Sequence, residues 1–250
     1  MIPPYGKWDM KGKAKVKNTA RSAVSTFAGR KAVRLENGLV RVSVLIGGGH
    51  IAEICLLEKD VNPLWIPPWP SIEPSHFDPR KHRAYGNDLE SRLLAGIMGH
   101  NLCFDFFGPP SDEEANAGLT VHGEAPVIKW KVTREDESTV RSIAVLPLAQ
   151  MRIDRRLRLP AGSTVLSIRE TAENLSAVDR AVGWTQHVTL GPPFLAGGRT
   201  VFHIPATRSK VFESDFTGGQ GFGGTGLLLF HLPNTILGFQ GLRCARTVLH

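Results

Sequence analysis

Between Lys31 and Leu57 the chain runs AVRL, Asn37-Gly38, LVRVSVLI, Gly47-Gly48-Gly49 and HIAEICLL. Asn-Gly between alternating β-branched stretches predicts a hairpin, because both residues tolerate the positive φ that short turns need. Val40, Val42 and Val44 then share one face of a strand, and Arg41 and Ser43 the other. The same period of two returns in MRIDRRLRL (151–159), where Met151, Ile153, Leu157 and Leu159 alternate with Arg152, Asp154, Arg156 and Arg158. That is an antiparallel strand with one wet face, and its arginines read as that solvated face. Further strands are expected near 127–133, 140–148, 164–174, 181–189, 199–204 and 226–231, with turns at 160–163 and 218–226. Many short strands broken by Gly and Pro, with no sustained helical period, predict an all-β fold, a large antiparallel β-sandwich.

Three polar or proline-rich stretches interrupt this pattern. NPLWIPPWPSIEP (62–74) holds too many prolines for a central strand or a helix. It is expected to be an ordered loop that lays Trp65 and Trp69 over an edge or a pocket. Residues 79–91 and GPPSDEEANAG (108–118) read as loop insertions.

At 250 residues the chain is long enough to bury a large core in one domain. Its formal charge of +7 is unevenly placed: residues 1–34 carry nine Lys or Arg against one acid, Asp9, so the other 216 residues sum to −1. The division expected is a basic, disordered extension over 1–30, followed by one sandwich domain over 31–250. No nucleic-acid module accompanies the charge, so no nucleic-acid partner is expected. There is no run of 18 apolar residues to span a membrane and no apolar core of a secretory signal at the N-terminus. Cys55, Cys103 and Cys244 are odd in number and set in mostly apolar stretches, as in buried thiols of a reducing compartment, so a cytoplasmic location is expected.

The chemistry concentrates in GLTVHGEA (118–125) and GWTQHVTLGPPFL (183–195), which place His122 and His187 in strand-like runs. Imidazoles titrate near neutral pH and suit proton transfer. Neither histidine has a partner at metal-ligand spacing in sequence, so no metal is expected. No convincing carboxylate pair for glycoside hydrolysis stands out either.

Together with ENGLVRVSVLIGGGHIAEICL, the proline-rich loop, and the run from Arg156-Leu157 through Glu170-Thr171 and Asn174 to Gln186-His187, these motifs resemble the galactose mutarotase-like superfamily, whose best-known members are the aldose 1-epimerases. The resemblance covers roughly 32–205. It implies a supersandwich fold, a small-molecule sugar as partner, no cofactor, and interconversion of sugar anomers by general acid/base catalysis. By the same resemblance His187 is the general acid and His122 binds near the ring oxygen. Trp184 offers a stacking platform and Gln186 a hydrogen bond to a hydroxyl. Glu124 is expected on the strand face of His122. The chain departs from the family twice. The family's sugar-binding arginine has no match in LLAGIMGHNLCFDFF (93–107), where His100 or Asn101 stands in its place. The family's general-base glutamate comes from a later strand, and none matches before His250, so the C-terminal part of the sandwich is expected to be missing. The alternative is a carbohydrate-binding or degenerate sandwich that lacks the base and does not catalyse.

Overall fold

The computed structural model describes residues 19–195 and the backbone of three later strands, 208–212, 227–231 and 242–244. In chain order the strands are β1 (Arg21–Phe27), β2 (Arg30–Glu36), β3 (Val40–Leu45), β4 (Ile51–Leu56) and β5 (His100–Asp105), then β6 (Lys131–Arg134), β7 (Thr139–Leu146), β8 (Met151–Arg158), β9 (Ser167–Asn174) and β10 (Arg180–Val188). After them come β11 (Arg208–Phe212), β12 (Leu227–His231) and β13 (Leu242–Cys244). A seven-stranded sheet runs β1-β2-β3-β4-β5-β10-β13, a four-stranded sheet runs β6-β7-β8-β9, and β11 pairs with β12. The strand pairs within these sheets are antiparallel. Among the described residues no helix is long and apolar enough to cross a membrane.

The two larger sheets pack face to face. At one end Val33 and Leu35 of β2 and Val40, Val42 and Val44 of β3 meet Val140 of β7 and Leu157 of β8. At the other, Leu102 and Phe104 of β5 and Val182 of β10 meet Leu146, Met151, Ile153 and Ala172, around the fully buried Trp130. The period of two is the cause: each strand turns alternate side chains inward, and apolar burial of about 25 cal/mol per Å² holds the layers together. The Asn37-Gly38 hairpin forms as expected, with Glu36 opposite Arg41 and the Asn37 carboxamide oxygen accepting from the backbone of Leu39 and Val40.

β8 alternates as its sequence predicts, and Arg152, Asp154 and Arg156 on its outer face join ion pairs with Glu173, Arg141 and Glu135. The same alternation turns Arg155 inward with Met151, Ile153 and Leu157, so this arginine is fully buried and not part of the solvated face.

The domain boundary expected at residue 31 requires correction. Residues 21–27 form β1, paired residue for residue with β2 from Arg21–Glu36 to Phe27–Arg30, so ordered structure begins inside the stretch expected to be a disordered extension. Arg30 is itself buried and donates to the carbonyls of Gly47 and Gly96. β1 is an edge strand held mainly by backbone bonds, with Val24 left exposed, so its side chains carry little apolar alternation. The expected strand at 199–204 and the glycine-rich turn at 218–226 lie outside the described residues, as do residues 1–18. The 108–118 insertion contains a one-turn helix, α1 (Asp112–Asn116). It starts at a reciprocal cap in which Ser111 Oγ accepts from Glu114 N and Glu114 Oε2 accepts from Ser111 N.

Candidate functional site

β5 and β10 lie side by side, and their register assigns every candidate to a face. Cross-strand partners share a face, so His187 stands with Asn101 and Thr185 with Cys103 on one side, while Trp184 with Phe104 and Gln186 with Leu102 stand on the other. Phe104 and Leu102 belong to the core, which makes the second set the inner face, towards the four-stranded sheet. The first set forms the outer face.

Onto the outer face folds the segment 106–125. Gly123 bridges directly to Phe104, and a Cβ there would sit 2.2 Å from the Phe104 carbonyl oxygen. With φ at +79° the position requires glycine on both counts. Val121 anchors the same turn in an apolar cluster with Leu93, Ile97 and Val127, against which Trp65 of the proline-rich loop packs. Trp65 and Trp69 meet edge to face at 5.5 Å, and Trp69 donates its indole N–H to Leu94 O.

His122, between these anchors, is not in a strand, which corrects the sequence expectation. It occupies a turn at φ +70°, a left-handed conformation that is uncommon outside glycine. A pair of bonds with Gly108 fixes it: His122 N donates to Gly108 O at 2.9 Å, and Gly108 N donates to His122 Nδ1 at 3.0 Å. Because Nδ1 accepts, the neutral ring carries its proton on Nε2. Phe107 stacks on the imidazole at 4.4 Å and meets His187 edge-on at 5.8 Å. The two imidazoles themselves lie 5.4 Å apart, nearly perpendicular. His122 and His187 therefore converge, one from a loop and one from β10.

Both imidazoles are held neutral. Burial lowers the pKa of His122 to about 4, helped by the neighbouring His187, and burial lowers that of His187 as well. Among the described residues no carboxylate hydrogen-bonds to or pairs with either ring. Several polar atoms on this face have no partner among the described residues: His187 Nδ1, Asn101 Nδ2 and Thr185 Oγ1 are all buried and unbonded. Asn101 Oδ1 accepts from the Cys103 thiol at 3.3 Å. Folding thus adds Cys103, a residue that sequence spacing did not associate with the histidines: its sulfur and one nitrogen of each imidazole lie within 4.8 Å of one another. It sits in the apolar run LCF, and nothing in that pattern marks it.

The other candidates lie elsewhere. Trp184, Gln186 and His100 are on the inner face and share one buried network. Glu170 Oε2 accepts from Trp184 Nε1 at 3.1 Å and from Gln186 Nε2, and Glu170 Oε1 accepts from Arg155 Nε at 2.5 Å. Gln186 Oε1 lies 2.6 Å from His100 Nε2. Arg155 also donates to Gly49 O and lies over the Trp130 ring at 4.8 Å. Burial, with the Arg155 charge beside it, lowers His100 to about 4. The expected stacking platform and hydroxyl partner are consequently structural neighbours, separated from His187 by the thickness of the sheet.

Glu124 does not share a strand face with His122. It is buried in the turn that follows, where its Oε2 accepts from Ala149 N, and burial raises its pKa. Arg92, just before the region that lacks the family arginine, donates Nε to Pro74 O.

No family model matches the sequence, and no curated protein matches it. Among solved structures the chain is similar to a galactose mutarotase-like protein from Lactobacillus casei, at 12% identity and TM-score 0.39, over 59% of this chain and 46% of that one. It is also similar to a galactose mutarotase related enzyme from Lactobacillus acidophilus, at 12% identity and TM-score 0.45, over 68% of this chain and 51% of that one. The chain spans about half the length of these structures.

Proposed function

We propose that the outer face of β5 and β10 binds a sugar and interconverts its anomers by proton transfer, in the manner of an aldose 1-epimerase. One observation carries the reading: two imidazoles from distant parts of the chain converge at 5.4 Å beside buried polar atoms that have no partner among the described residues. Buried donors and acceptors of that kind are costly unless a ligand completes them, and a polyhydroxylated ring offers both. Anomer exchange removes the O1 proton, protonates the ring oxygen, opens the ring, turns C1–C2 and recloses it. His122, with its proton on Nε2, is set to donate a hydrogen bond to the ring oxygen. His187 is the group that transfers the proton. Cys55 and Cys103 are free buried thiols, in keeping with a cytoplasmic protein.

A second reading draws on a specific observation, the absence of a carboxylate acting on either imidazole among the described residues. Without a base the same face binds sugar and does not turn it over.

Polarimetry or NMR exchange on freshly dissolved aldoses separates the two. Acceleration that falls by about 10²–10⁴-fold in His187→Ala, with sugar binding retained, supports the isomerase. Binding without acceleration leaves the second reading. Neither binding nor acceleration removes sugar from the account of this face. If His187 acts as the acid, the rate rises as pH falls towards its lowered pKa, because only the charged imidazole gives up a proton readily.

A further inference from the structure

We propose that Cys103, His122 and His187 form a binding site for a thiophilic divalent cation of the zinc class. The inference stands on these three side chains and does not depend on the sugar reading. Their donor atoms lie within 4.8 Å of one another. Zinc–sulfur and zinc–nitrogen bonds of about 2.3 and 2.0 Å put the ligands of one tetrahedral ion roughly 3.5 Å apart. The gap is about an ångström, within the reach of side-chain rotation. One thiolate and two imidazoles form a donor set for zinc or cobalt, and not for calcium or magnesium, which take oxygen ligands.

Two further observations point to a ligand here. His187 Nδ1 is a buried ring nitrogen with no hydrogen-bond partner among the described residues. Asn101 Nδ2 is equally unpaired, while its own Oδ1 sits 3.3 Å from the Cys103 sulfur. Turning that carboxamide over aims an N–H at the sulfur, which is what a metal-bound thiolate needs from its surroundings. The supports are rigid: Cys103 and His187 sit on adjacent strands, two residues apart along the ladder, and His122 is pinned by the Gly123 bridge to Phe104. One contact opposes the ion. Gly108 N–H donates to His122 Nδ1, so ligation moves the ring proton to Nδ1 or rotates the ring, and that single neutral hydrogen bond is lost. Binding converts the Cys103 thiol to a thiolate and releases one proton. Three protein ligands leave the fourth tetrahedral position to water or a ligand oxygen. An ion held there occupies His122 and His187 and competes with their use in proton transfer.

The experiment titrates the full chain with Co²⁺, a spectroscopic substitute for Zn²⁺. The expected result is one equivalent bound, with a sulfur-to-cobalt charge-transfer band and tetrahedral visible bands, both abolished by Zn²⁺. Cys103→Ser should remove the charge-transfer band. His122→Ala and His187→Ala should each weaken binding by at least about 100-fold, and Asn101→Leu by about 10–100-fold. Absence of the band in the wild-type protein overturns the proposal. So does a band that survives Cys103→Ser and disappears in Cys55→Ser or Cys244→Ser. Should Cys103→Ser fail to fold, unchanged Zn²⁺ affinity in both histidine variants, read by competition with a chromophoric chelator, overturns it equally.

Discussion

The two faces of the β5–β10 pair carry similar residue types and treat them in opposite ways. On the inner face His100, Gln186 and Trp184 are tied through Glu170 to Arg155 by hydrogen bonds and an ion pair, with Arg155 Nη2 left without a partner among the described residues. On the outer face His187, Asn101 and Thr185 each have a buried polar atom without a partner among the described residues, and a thiol and a second imidazole crowd against them. A buried network built on an ion pair specifies packing, whereas leftover buried polar atoms beside two imidazoles and a thiol make the other face the candidate site. A histidine next to a glutamine in sequence is therefore no guide to function until the faces are known.

The largest effect should come from breaking the inner network. Glu170→Ala leaves the buried Arg155 guanidinium without its carboxylate, and stability should fall by about 3–5 kcal/mol in urea unfolding. A loss below about 1 kcal/mol, small for a group this deeply buried, would put Glu170 outside the framework of the fold.

Next comes pH. The pKa of His100 is lowered to about 4 in the folded chain against an ordinary value of 6.5, so the unfolded state takes up the proton first. Its contribution is complete above pH 6.5 and is lost as pH falls towards 4, on the order of 3 kcal/mol from this residue alone. His50, His122 and His187 are lowered too and add in the same direction. His100→Gln keeps a donor for Gln186 Oε1 and removes the titrating ring, so it should flatten this limb of the stability curve. An unchanged limb assigns the acid sensitivity to the other three.

A smaller change separates neighbours on one strand. Gln186→Leu strips Glu170 of a donor and leaves His100 Nε2 facing an apolar group, which should cost about 1–3 kcal/mol. Thr185→Val, one residue away, removes a buried hydroxyl without a partner among the described residues and should leave the unfolding midpoint unchanged or slightly raised. If the two variants cost the same, the contrast between the faces fails.

Much of the sandwich was legible because its signals are local. Asn37-Gly38 and the alternation of Val40, Val42 and Val44 produced the expected hairpin and its buried face. β1 escaped notice because RSAVSTF is held by backbone bonds to β2, and such pairing leaves no mark on side-chain pattern. His122-Gly123 was legible as a motif but not as a turn, since the need for glycine arises from the approach of the Phe104 carbonyl, a contact made across 19 residues of chain.

By itself the sequence determined the period of two, the turns, and the choice of His122 and His187 as candidate site residues. Tertiary structure decided which face each of them occupies. In GWTQH the Trp184–Gln186 set pairs one apolar side chain with one polar, while Thr185 and His187 are both polar, so Trp184 alone marks the inner face and the local contrast is weak. The choice was made by the second sheet, whose buried Arg155 requires Glu170, and by the 106–125 segment, which brings His122 over Cys103 and His187. Both are contacts between residues far apart in sequence, set by packing and by electrostatic pairing that the local pattern does not encode.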